Sequence, residues 1–514
     1  MGSERAENAP TRYVGKAAPS PAGPVGEDEP VRLPPADPAS PLLQSVRAGV
    51  RPISFNLRAH RRFGDVWQIK ILARREGFVV TCHPDHVRSL LTAKPDDAPS
   101  LTGESPLRPI LGENSILTSV GARHMRQRKL LLPPFHGDAV QQYVAMIAEV
   151  AEREIDRWPL GEGFALAPRM AVITLDVIMS GIFGIQGTPA PGTSGHRLRQ
   201  TIRRLLGAST NPLFQIIELQ NMGRREPTGI LKALLGIVDR QLLAIIVERR
   251  AQAADLEAGE RADILSILIA ARDEDGAPLT DSELRDELLS LVLAGHETTA
   301  NSLAWTFERL LRTPPAYDTL RERVRAGGRE GADYVEATIH EAMRNRPVIP
   351  MIVRMVNRPW RFGGYTLPAR TPVAVSIVAL HHREDLYPDP FSFRPERFLG
   401  PRQPDDPGDE RSGEAGSLAF VRQPDDPGDE RSGEAGSLAF VRPGTYAWIP
   451  FGGGIRRCLG ASLAMAEQRV VLEAIARRTD LAAADRRPER ARQRNVTTIP
   501  SQGARVVLTA RDPA

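Results

Sequence analysis

Apolar residues recur every three or four positions through most of the chain from residue 84 to residue 346, which is the spacing of helices that bury one face. This pattern predicts helices over 124–132, 140–158, 230–256 and 264–272. The longest predicted helix begins at Thr280, where Thr280 and Glu283 have the spacing of a capping box, and it ends near Arg312. At roughly 1.5 Å per residue this helix is about 45 Å long, so it must cross most of a domain.

Runs of β-branched and alternating residues predict short strands on both sides of the helical region. They cover 66–73, 78–82, 351–361 and 371–380. Residues 74–77 separate the first two runs and predict a hairpin with glycine at the turn. A last helix is predicted from about Gly460 to Arg478. Because helices and strands do not alternate, the fold class is mainly α with small β-sheets (α+β), in a single large domain.

Two segments lack any pattern of buried positions. Residues 1–40 are rich in Pro and Ala and carry charges of both signs, which predicts a disordered tail. Residues 403–422 (QPDDPGDERSGEAGSLAFVR) recur unchanged as 423–442, and each copy has five acidic residues against two arginines. We therefore expect a domain over 41–514 in which 403–442 is an acidic, tandem-duplicated, flexible insertion.

The composition is that of a soluble globular protein, with 41% hydrophobic and 25% charged residues among 514. A net charge of +4 is too balanced to favour nucleic acid as a partner. The two cysteines, Cys82 and Cys458, are too few for a disulfide framework, a four-cysteine zinc site or an iron–sulfur cluster. The most apolar stretch, 166–185, is interrupted by Pro168 and Asp176, which favours a buried helix and no transmembrane anchor. A cytoplasmic location is expected.

A glycine-rich loop that contains a cysteine precedes the last helix, and residues 451–461 read FGGGIRRCLGA. A thiolate at Cys458 would be stabilised by the amides of the following helix N-terminus and by Arg456 and Arg457. The glycines allow the backbone to approach a large flat group. Neither a phosphate-binding loop nor a dinucleotide fingerprint is completed here. A buried structural cysteine after a flexible turn is the alternative interpretation.

This loop resembles the haem-ligand loop of the cytochrome P-450 superfamily, soluble bacterial type. The pattern Phe, two residues, Gly, one, Arg, one, Cys, one, Gly is filled by Phe451, Gly454, Arg456, Cys458 and Gly460. The resemblance implies the cytochrome P-450 fold, with a long central helix across the haem. It also implies haem b (iron protoporphyrin IX) as cofactor, with Cys458 as the axial thiolate and the other four residues in cofactor binding.

A second motif, AGHETT over 294–299, lies in the middle of the long predicted helix. Gly295 and the threonine hydroxyls can loosen the helical hydrogen bonds and open a local kink for O2 and water. The resemblance implies Gly295 in cofactor binding and Glu297 with Thr298 as the acid and alcohol pair that supplies protons for oxygen activation. An exposed His-Glu pair is the alternative. A zinc protease is excluded because Ala300 stands where the second His is required.

Glu341 and Arg344 are three residues apart on one predicted helix, a pairing that is weak on its own. They precede PERF at 395–398, which precedes the cysteine loop, in the order that the family requires. The resemblance implies that Glu341, Arg344 and Arg397 form a buried charge network that holds the loop around Cys458.

His124 and Arg128 lie four residues apart on a predicted helix, so both can face one anionic group. Because other basic residues surround them, a solvent-exposed basic helix face is the alternative interpretation. The resemblance assigns His124, Arg128, Arg354 and Arg456 to the two haem propionates.

The implied function is that of a haem-dependent monooxygenase, an oxidoreductase that activates O2 to hydroxylate or epoxidise a hydrophobic small molecule. The chain has no dinucleotide fingerprint and too few cysteines for an iron–sulfur cluster, so electrons must come from a separate redox partner. The family suggests a ferredoxin and its NAD(P)H-dependent ferredoxin reductase, docking near Arg456 and Arg457. The alternatives are a haem-thiolate peroxygenase or isomerase and a non-catalytic haem-binding protein.

The same resemblance predicts the walls of an apolar substrate pocket. They comprise 101–118, 205–222, the long helix near Leu293, and 348–353. The named apolar members are Leu107, Ile110, Leu111, Leu205, Phe214, Ile349 and Met351.

Overall fold

The structure is a computed structural model of the full chain. It describes residues 17–72, 74–101, 107–185, 187, 189–208, 221, 224–253, 263–400 and 443–512. The predicted insertion 403–442 lies outside the described residues, as do residues 1–16 and Phe214.

Helices form most of the described chain. They are α1 (Pro41–Val50), α2 (Pro52–Phe63), α3 (Pro84–Leu91), α4 (Arg108–Leu111), α5 (Gly121–Leu131), α6 (Asp138–Gln141), α7 (Val144–Ile155), α8 (Leu166–Phe183), α9 (Ser194–Ala208), α10 (Gly229–Ala253), α11 (Ile264–Ala270), α12 (Asp281–Leu311), α13 (Pro314–Ala326), α14 (Gly328–Asn345), α15 (Ile377–Leu380) and α16 (Ala461–Arg478). The long predicted helix is therefore present as α12.

Twelve short strands form three small sheets and one hairpin within the described residues. They are β1 (Ala22–Pro24), β2 (Val66–Ile71), β3 (Arg74–Thr81), β4 (Gly163–Ala165), β5 (Met351–Val356), β6 (Trp360–Phe362), β7 (Tyr365–Leu367), β8 (Thr371–Ser376), β9 (Thr479–Ala483), β10 (Ala491–Arg494), β11 (Thr497–Pro500) and β12 (Arg505–Arg511). The largest sheet has the order β2-β3-β8-β5, the others are β1-β6-β7 and β4-β12-β9, and β10 pairs with β11. The predicted α+β class is confirmed.

Helix α12 is the central element of the larger hydrophobic core. Its N-terminus has the predicted capping box: Thr280 Oγ1 accepts from Glu283 N at 3.2 Å and Glu283 Oε2 accepts from Thr280 N at 2.8 Å. Its main neighbour is α8, which is long and apolar enough to cross a membrane by length and composition alone. Met170, Ile173 and Met179 of α8 are fully buried inside the protein. Helix α8 is thus the buried helix that the sequence predicted.

Three predicted strand boundaries are wrong, and the predicted run 351–361 is divided into β5 and β6. The β2–β3 turn lies before Arg74, and Gly77 is inside β3, next to a register shift at Ile69 and Ile71. A Cβ on Gly77 would lie 2.4 Å from the carbonyl oxygen of Ile69, and its φ is +88°, so this glycine serves a bulge rather than the turn. The predicted strand 371–380 ends at Ser376, whose hydroxyl accepts from Ala379 N and caps the short helix α15.

The prediction of a disordered tail over 1–40 is wrong for residues 17–40. Strand β1 pairs antiparallel with β6. The amide of Ser20 donates to Asp85 at 2.8 Å, and Gln68 donates to the carbonyl of Pro34. Proline and glycine are common in tails, but here the backbone groups of this segment find partners on the sheet edge.

Candidate active site

One large cavity of about 1540 Å³ lies between α12, α5, β5 and the cysteine loop. Ten residues that the resemblance assigns to the site line it: His124, Arg128, Gly295, Glu297, Thr298, Arg354, Phe451, Arg456, Cys458 and Gly460. These residues come from four distant parts of the sequence. Gly454 does not line the cavity, and Glu341, Arg344 and Arg397 lie behind its wall.

The cysteine loop lies close against the end of α3. Gly454 has a φ of +62°, and a Cβ there would come within 1.9 Å of the carbonyl oxygen of Leu91. A Cβ on Gly453 would lie 2.8 Å from Leu91 Cδ1. The amide of Cys458 donates to the carbonyl of Phe451 at 2.9 Å and closes the loop. The loop therefore needs glycine at Gly454, although this residue is behind the cavity wall rather than on it.

The Cys458 thiol is exposed to the cavity. The cavity itself lies inside the protein, so protein surrounds the thiol on its other sides. Burial raises the pKa of this thiol, while the Gly460 amide, Arg128 and Arg457 oppose the rise. These three neighbours favour the thiolate that a metal would bind. Gly460, two residues after Cys458, is the N-cap residue of α16, where the sequence predicted the last helix to begin.

Cys82 lies in a different environment, in the smaller core cluster beside the main sheet. Its sulfur is 3.2 Å from His60 Nδ1 and 3.8 Å from Asp65 Oδ1. Arg383 already pairs with Asp65, and burial raises the pKa of the Cys82 thiol. Cys82 is therefore a buried thiol beside a partly exposed ion-pair cluster and does not line the cavity.

Four basic residues converge on one end of the cavity. Arg128 Nη1 donates to the Arg457 carbonyl at 2.9 Å, and Arg456 donates to the carbonyls of Ile116, at 2.9 Å, and of Ser119. Burial lowers the pKa of Arg354 to about 10. The pKa of Arg456 also falls to about 10, first through burial and then through Arg354 and Arg128.

His124 stands in the same cluster. Burial lowers the pKa of His124 to about 3, and Arg456, Arg128 and Arg354 add to the effect. No carboxylate contributes to the pKa shift of His124, Arg354 or Arg456. Buried cations without anionic partners are costly, so this end of the cavity is built for an anionic group. The two propionates of the haem that the resemblance implies fit that requirement.

The AGHETT motif faces the cavity from an unbroken α12. Thr298 Oγ1 donates to the carbonyl of Ala294 at 2.6 Å, and a Cβ on Gly295 would lie 3.1 Å from Ile178 of α8. His296 is buried, with Nδ1 2.9 Å from Thr174 Oγ1. The exposed His-Glu alternative is therefore wrong for His296, which is a core residue between α8 and α12.

Glu297 is held by two residues that sequence reasoning missed. Its Oε1 accepts from Arg494 Nε and from Thr497 Oγ1, both at 2.8 Å. These partners are at the ends of β10 and β11, and Asn495 and Val496 between them line the cavity. No spacing links residues almost two hundred positions apart, so only the fold reveals this pairing.

Glu341 and Arg344 form a fully buried, two-bond pair, with distances of 2.7 and 2.8 Å. Arg397 Nε lies 3.5 Å from Glu341 Oε1, and the Arg394 amide donates to the same oxygen at 2.9 Å. Burial alone would lower the pKa of Arg344, but the Glu341 carboxylate raises it above its ordinary value. The structure thus brings the three predicted network residues together.

His381 connects this network with the cysteine loop. Its carbonyl accepts from Arg344 Nη1 at 2.8 Å, and its Nε2 accepts from the amide of Ile449 at 3.0 Å. Burial and the neighbouring Arg344 lower the pKa of His381 to about 3. The ring is therefore neutral at physiological pH, as its acceptor role requires.

We expect the free energy of unfolding to fall as the pH drops from 6.5 towards 3. The folded pKa of His381 lies below its ordinary value of 6.5, so its contribution is full above pH 6.5 and is lost on acidification. The slope from this one group amounts to at most about 1.4 kcal/mol per pH unit. Urea unfolding between pH 8 and pH 5 measures it. His381→Gln keeps an acceptor for Ile449 and should reduce the slope, whereas an unchanged slope would contradict the assignment.

The predicted pocket walls are largely present. Leu107, Ile110, Leu111, Leu205 and Ile349 line the cavity, while Met351 does not. The prediction omitted several further contributions from the described residues, of which three adjoin the AGHETT side of the cavity or α16. These three are Val177, Ile178 and Ile182 of α8, the β10–β11 turn, and Glu467 with Gln468 of α16. The apolar spacing of the α8 residues is that of an ordinary core helix, so the sequence carries no sign of a cavity there.

Glu467 is the unusual member of this last group. It is 3% exposed, and burial raises its pKa to about 8. Its neighbour Gln468 accepts from Ser302 Oγ at 2.6 Å and ties α16 to α12.

Comparisons with known proteins agree with the motifs. The profile of the family described as cytochrome P-450 matches residues 41–506. Curated relatives include cytochrome P-450 137 of Mycobacterium tuberculosis, 34% identical over 88% of this chain and 84% of the relative. Another is cytochrome P-450 135B1 of Mycobacterium bovis, 33% identical over 93% of this chain and 92% of the relative.

Solved structures share the fold. Retinoic acid bound cyanobacterial CYP120A1 has a TM-score of 0.70 and 22% identity, covering 94% of this chain and 100% of that one. The cytochrome P-450DA haem domain has a TM-score of 0.72 and 20% identity, covering 93% and 98%.

Proposed function

The chain belongs to the cytochrome P-450 family, and from this premise we propose that it hydroxylates or epoxidises a hydrophobic small molecule, with Cys458 as the axial ligand. Family membership makes it an oxidoreductase and a haem monooxygenase that uses O2 and a redox partner. Its haem, held by a cysteine thiolate, supplies the oxygen-activating chemistry. The main support for the proposal is that Cys458, Thr298 and Glu297 line the same cavity. It is also lined by three arginines that have no carboxylate partner among the described residues, Arg128, Arg354 and Arg456.

The basic cluster has the role of binding and orienting the cofactor. Arg128 and Arg456 both reach backbone carbonyls near the cavity, which fixes their guanidinium groups in place. We assign these two, with Arg354 and His124, to the propionates. Binding of the anions would relieve the burial cost that now lowers the pKa of Arg456 and Arg354.

Proton delivery is assigned to Thr298 and Glu297. The Thr298 hydroxyl faces the cavity and donates to Ala294, so it can turn this proton towards a ligand in the cavity. Glu297 accepts from Arg494 and Thr497, which keeps its carboxylate beside the cavity and away from the core. In the proposal, Glu297 takes up a proton from solvent, and water carries that proton on to Thr298. Arg494 acts as a positioning residue.

Thr298→Ala is expected to uncouple turnover. NADPH and O2 consumption should continue while product per NADPH falls at least about tenfold and peroxide rises, since general acid–base groups contribute about 10²–10⁴-fold. Peroxide and product are measured together in the reconstituted system. Thr306→Ala is the matched control, because Thr306 makes the same bond to a carbonyl four residues earlier, at 2.8 Å, away from the cavity. Full coupling in Thr298→Ala would contradict the assignment.

The cavity walls support a proposal for the substrate class. Leu101, Leu293, Ile352 and Val353 are among many aliphatic residues there, which favours a lipid, terpenoid or polyketide. A relative in fold was solved with retinoic acid bound, which agrees with an elongated apolar ligand. Spectral titration of such compounds against the oxidised holoenzyme is the most direct substrate screen.

Electrons are proposed to come from a cytoplasmic ferredoxin and its reductase, docking near Arg456 and Arg457. The two copies of the insertion carry a net −6, so the rest of the chain is at +10 against +4 overall and suits an acidic donor. NADPH-driven product formation with a surrogate ferredoxin and reductase tests the proposal. Product formed only with added peroxide would instead support a peroxygenase. If the protein binds haem but forms no product with the ferredoxin system or with peroxide, it is a non-catalytic haem-binding protein.

A further inference from the structure

Helix α1 has its apolar face turned outwards. Leu42, Leu43, Val46 and Val50 are 58%, 41%, 51% and 59% exposed, and they lie along one side of the helix. The single fully buried residue of α1 is the polar Gln44, at 1% exposure. A helix on a globular protein ordinarily buries its apolar stripe and exposes its polar one. Helix α1 does the reverse.

Specific hydrogen bonds keep α1 in this orientation. Gln44 Nε2 donates to the Ala39 carbonyl at 2.7 Å, and Gln44 Oε1 accepts from the amide of Lys70 at 2.9 Å. Ser45 Oγ accepts from the amide of Leu72 at 2.9 Å. Rotating the aliphatic row inwards would break these bonds at the end of β2. The exposure of the row is therefore fixed by the fold.

Exposed arginines, none with an ion pair among the described residues, follow the aliphatic row along the chain, on α1 and on the next helix, α2. Arg47 and Arg51 belong to α1 and its C-cap, and Arg58, Arg61 and Arg62 share the exposed side of α2. The sequence has no Asp or Glu between Asp37 and Asp65. Within the part of the chain that the structure describes, none of the five arginines forms an ion pair. We call these arginines and the four aliphatic residues the α1–α2 surface.

We propose that the α1–α2 surface binds an anionic lipid bilayer, with α1 lying in the interface. Aliphatic side chains beside a cluster of arginines match the boundary between acyl chains and acidic headgroups. A second copy of the chain is a less suitable partner for this surface than a bilayer. A two-fold contact would bring two sets of five arginines together, and their charges would repel.

The surface adjoins the mouth of the cavity. Leu72 is 51% exposed, is bonded through its amide to Ser45 of α1, and also lines the cavity. A bilayer on α1 therefore meets the protein next to an apolar entrance. If the proposed function holds, a lipophilic substrate passes from the bilayer directly into the cavity, but membrane binding itself does not depend on that function.

Co-sedimentation of the full-chain holoenzyme with vesicles tests the proposal. We expect binding to mixed phosphatidylcholine and phosphatidylglycerol vesicles and none to phosphatidylcholine alone. Binding should weaken from about 0.1 M to about 1 M NaCl, as the Debye length shortens from about 10 Å to about 3 Å. R58Q/R61Q/R62Q should bind about a hundredfold more weakly, since each basic residue contributes about fivefold. Val46→Ser with Val50→Ser should also weaken binding at unchanged charge.

The matched control is R329Q/R358Q/R477Q, which removes the same charge from arginines that already face Asp333, Asp97 and Glu473. An equal loss in the control would show that net charge alone drives adsorption and would overturn the proposal. Failure of the holoenzyme to bind anionic vesicles would overturn it too. So would sedimentation equilibrium showing a dimer that Val46→Ser dissociates. Because no turnover is measured, these outcomes are separate from any failure of the proposed oxygenase activity.

Discussion

The Cys458→Ala protein is expected to lose the strongly red-shifted Soret band of the ferrous CO complex, together with essentially all monooxygenase activity. Cys458 is the one cysteine that lines the cavity among the described residues, and its thiolate is favoured by the Gly460 amide, Arg128 and Arg457. Without the thiolate, haem would be held only through the proposed propionate contacts and by packing. Haem content per chain and the CO difference spectrum measure the loss.

Cys82→Ala is the matched control for this experiment. Cys82 is fully buried beside Asp65 and Arg383, so its truncation should cost about 1 kcal/mol of stability and leave the band in place. The Cys458→Ala loop keeps the backbone bond from residue 458 to Phe451, so loss of the band would not reflect loss of the loop. A retained band in Cys458→Ala, or its loss only in Cys82→Ala, would contradict the ligand assignment.

Local chemistry explains which parts of the fold the sequence predicts. The capping box at Thr280 and Glu283 fixes the start of α12 because both partners lie within one helical turn. The cysteine loop is recognisable because its motif lies within ten consecutive residues, 451–460, which the bond from the Cys458 amide to the Phe451 carbonyl closes on themselves. Such features depend on a few residues that are adjacent in the chain, so they can be predicted from the sequence alone.

Tertiary pairing explains the errors. Gly77 looks like a turn residue until the carbonyl of Ile69, on the paired strand, leaves no room for a side chain. Residues 17–40 look like a tail because the edge of β6, with which β1 pairs, lies more than three hundred residues away. Arg494 carries no motif, and its role beside Glu297 exists only because β10 lies next to α12. Sequence patterns do not encode these partners.

The buried charges behind the cavity form a continuous connection to the cysteine loop. Glu341 binds Arg344, Arg344 binds the carbonyl of His381, and the His381 ring accepts from Ile449, nine residues before Cys458. The network lies outside the cavity, so its effect on the haem ligand must pass through the position of the backbone. Glu341 is accordingly a positioning residue for the loop.

Glu341→Gln is expected to destabilise the protein by about 3–5 kcal/mol and to lower haem content, because it leaves Arg344 buried with no countercharge. Arg344 is fully buried, and its remaining hydrogen-bond partners are the carbonyls of His381 and Ser392. Glu341→Gln combined with Arg344→Met removes the unpaired cation and should recover part of the stability, which a purely steric defect would not. Urea unfolding and the haem-to-protein ratio of the two variants decide between these explanations. Equal stability of Glu341→Gln and the unaltered chain would show that the network does not support the loop.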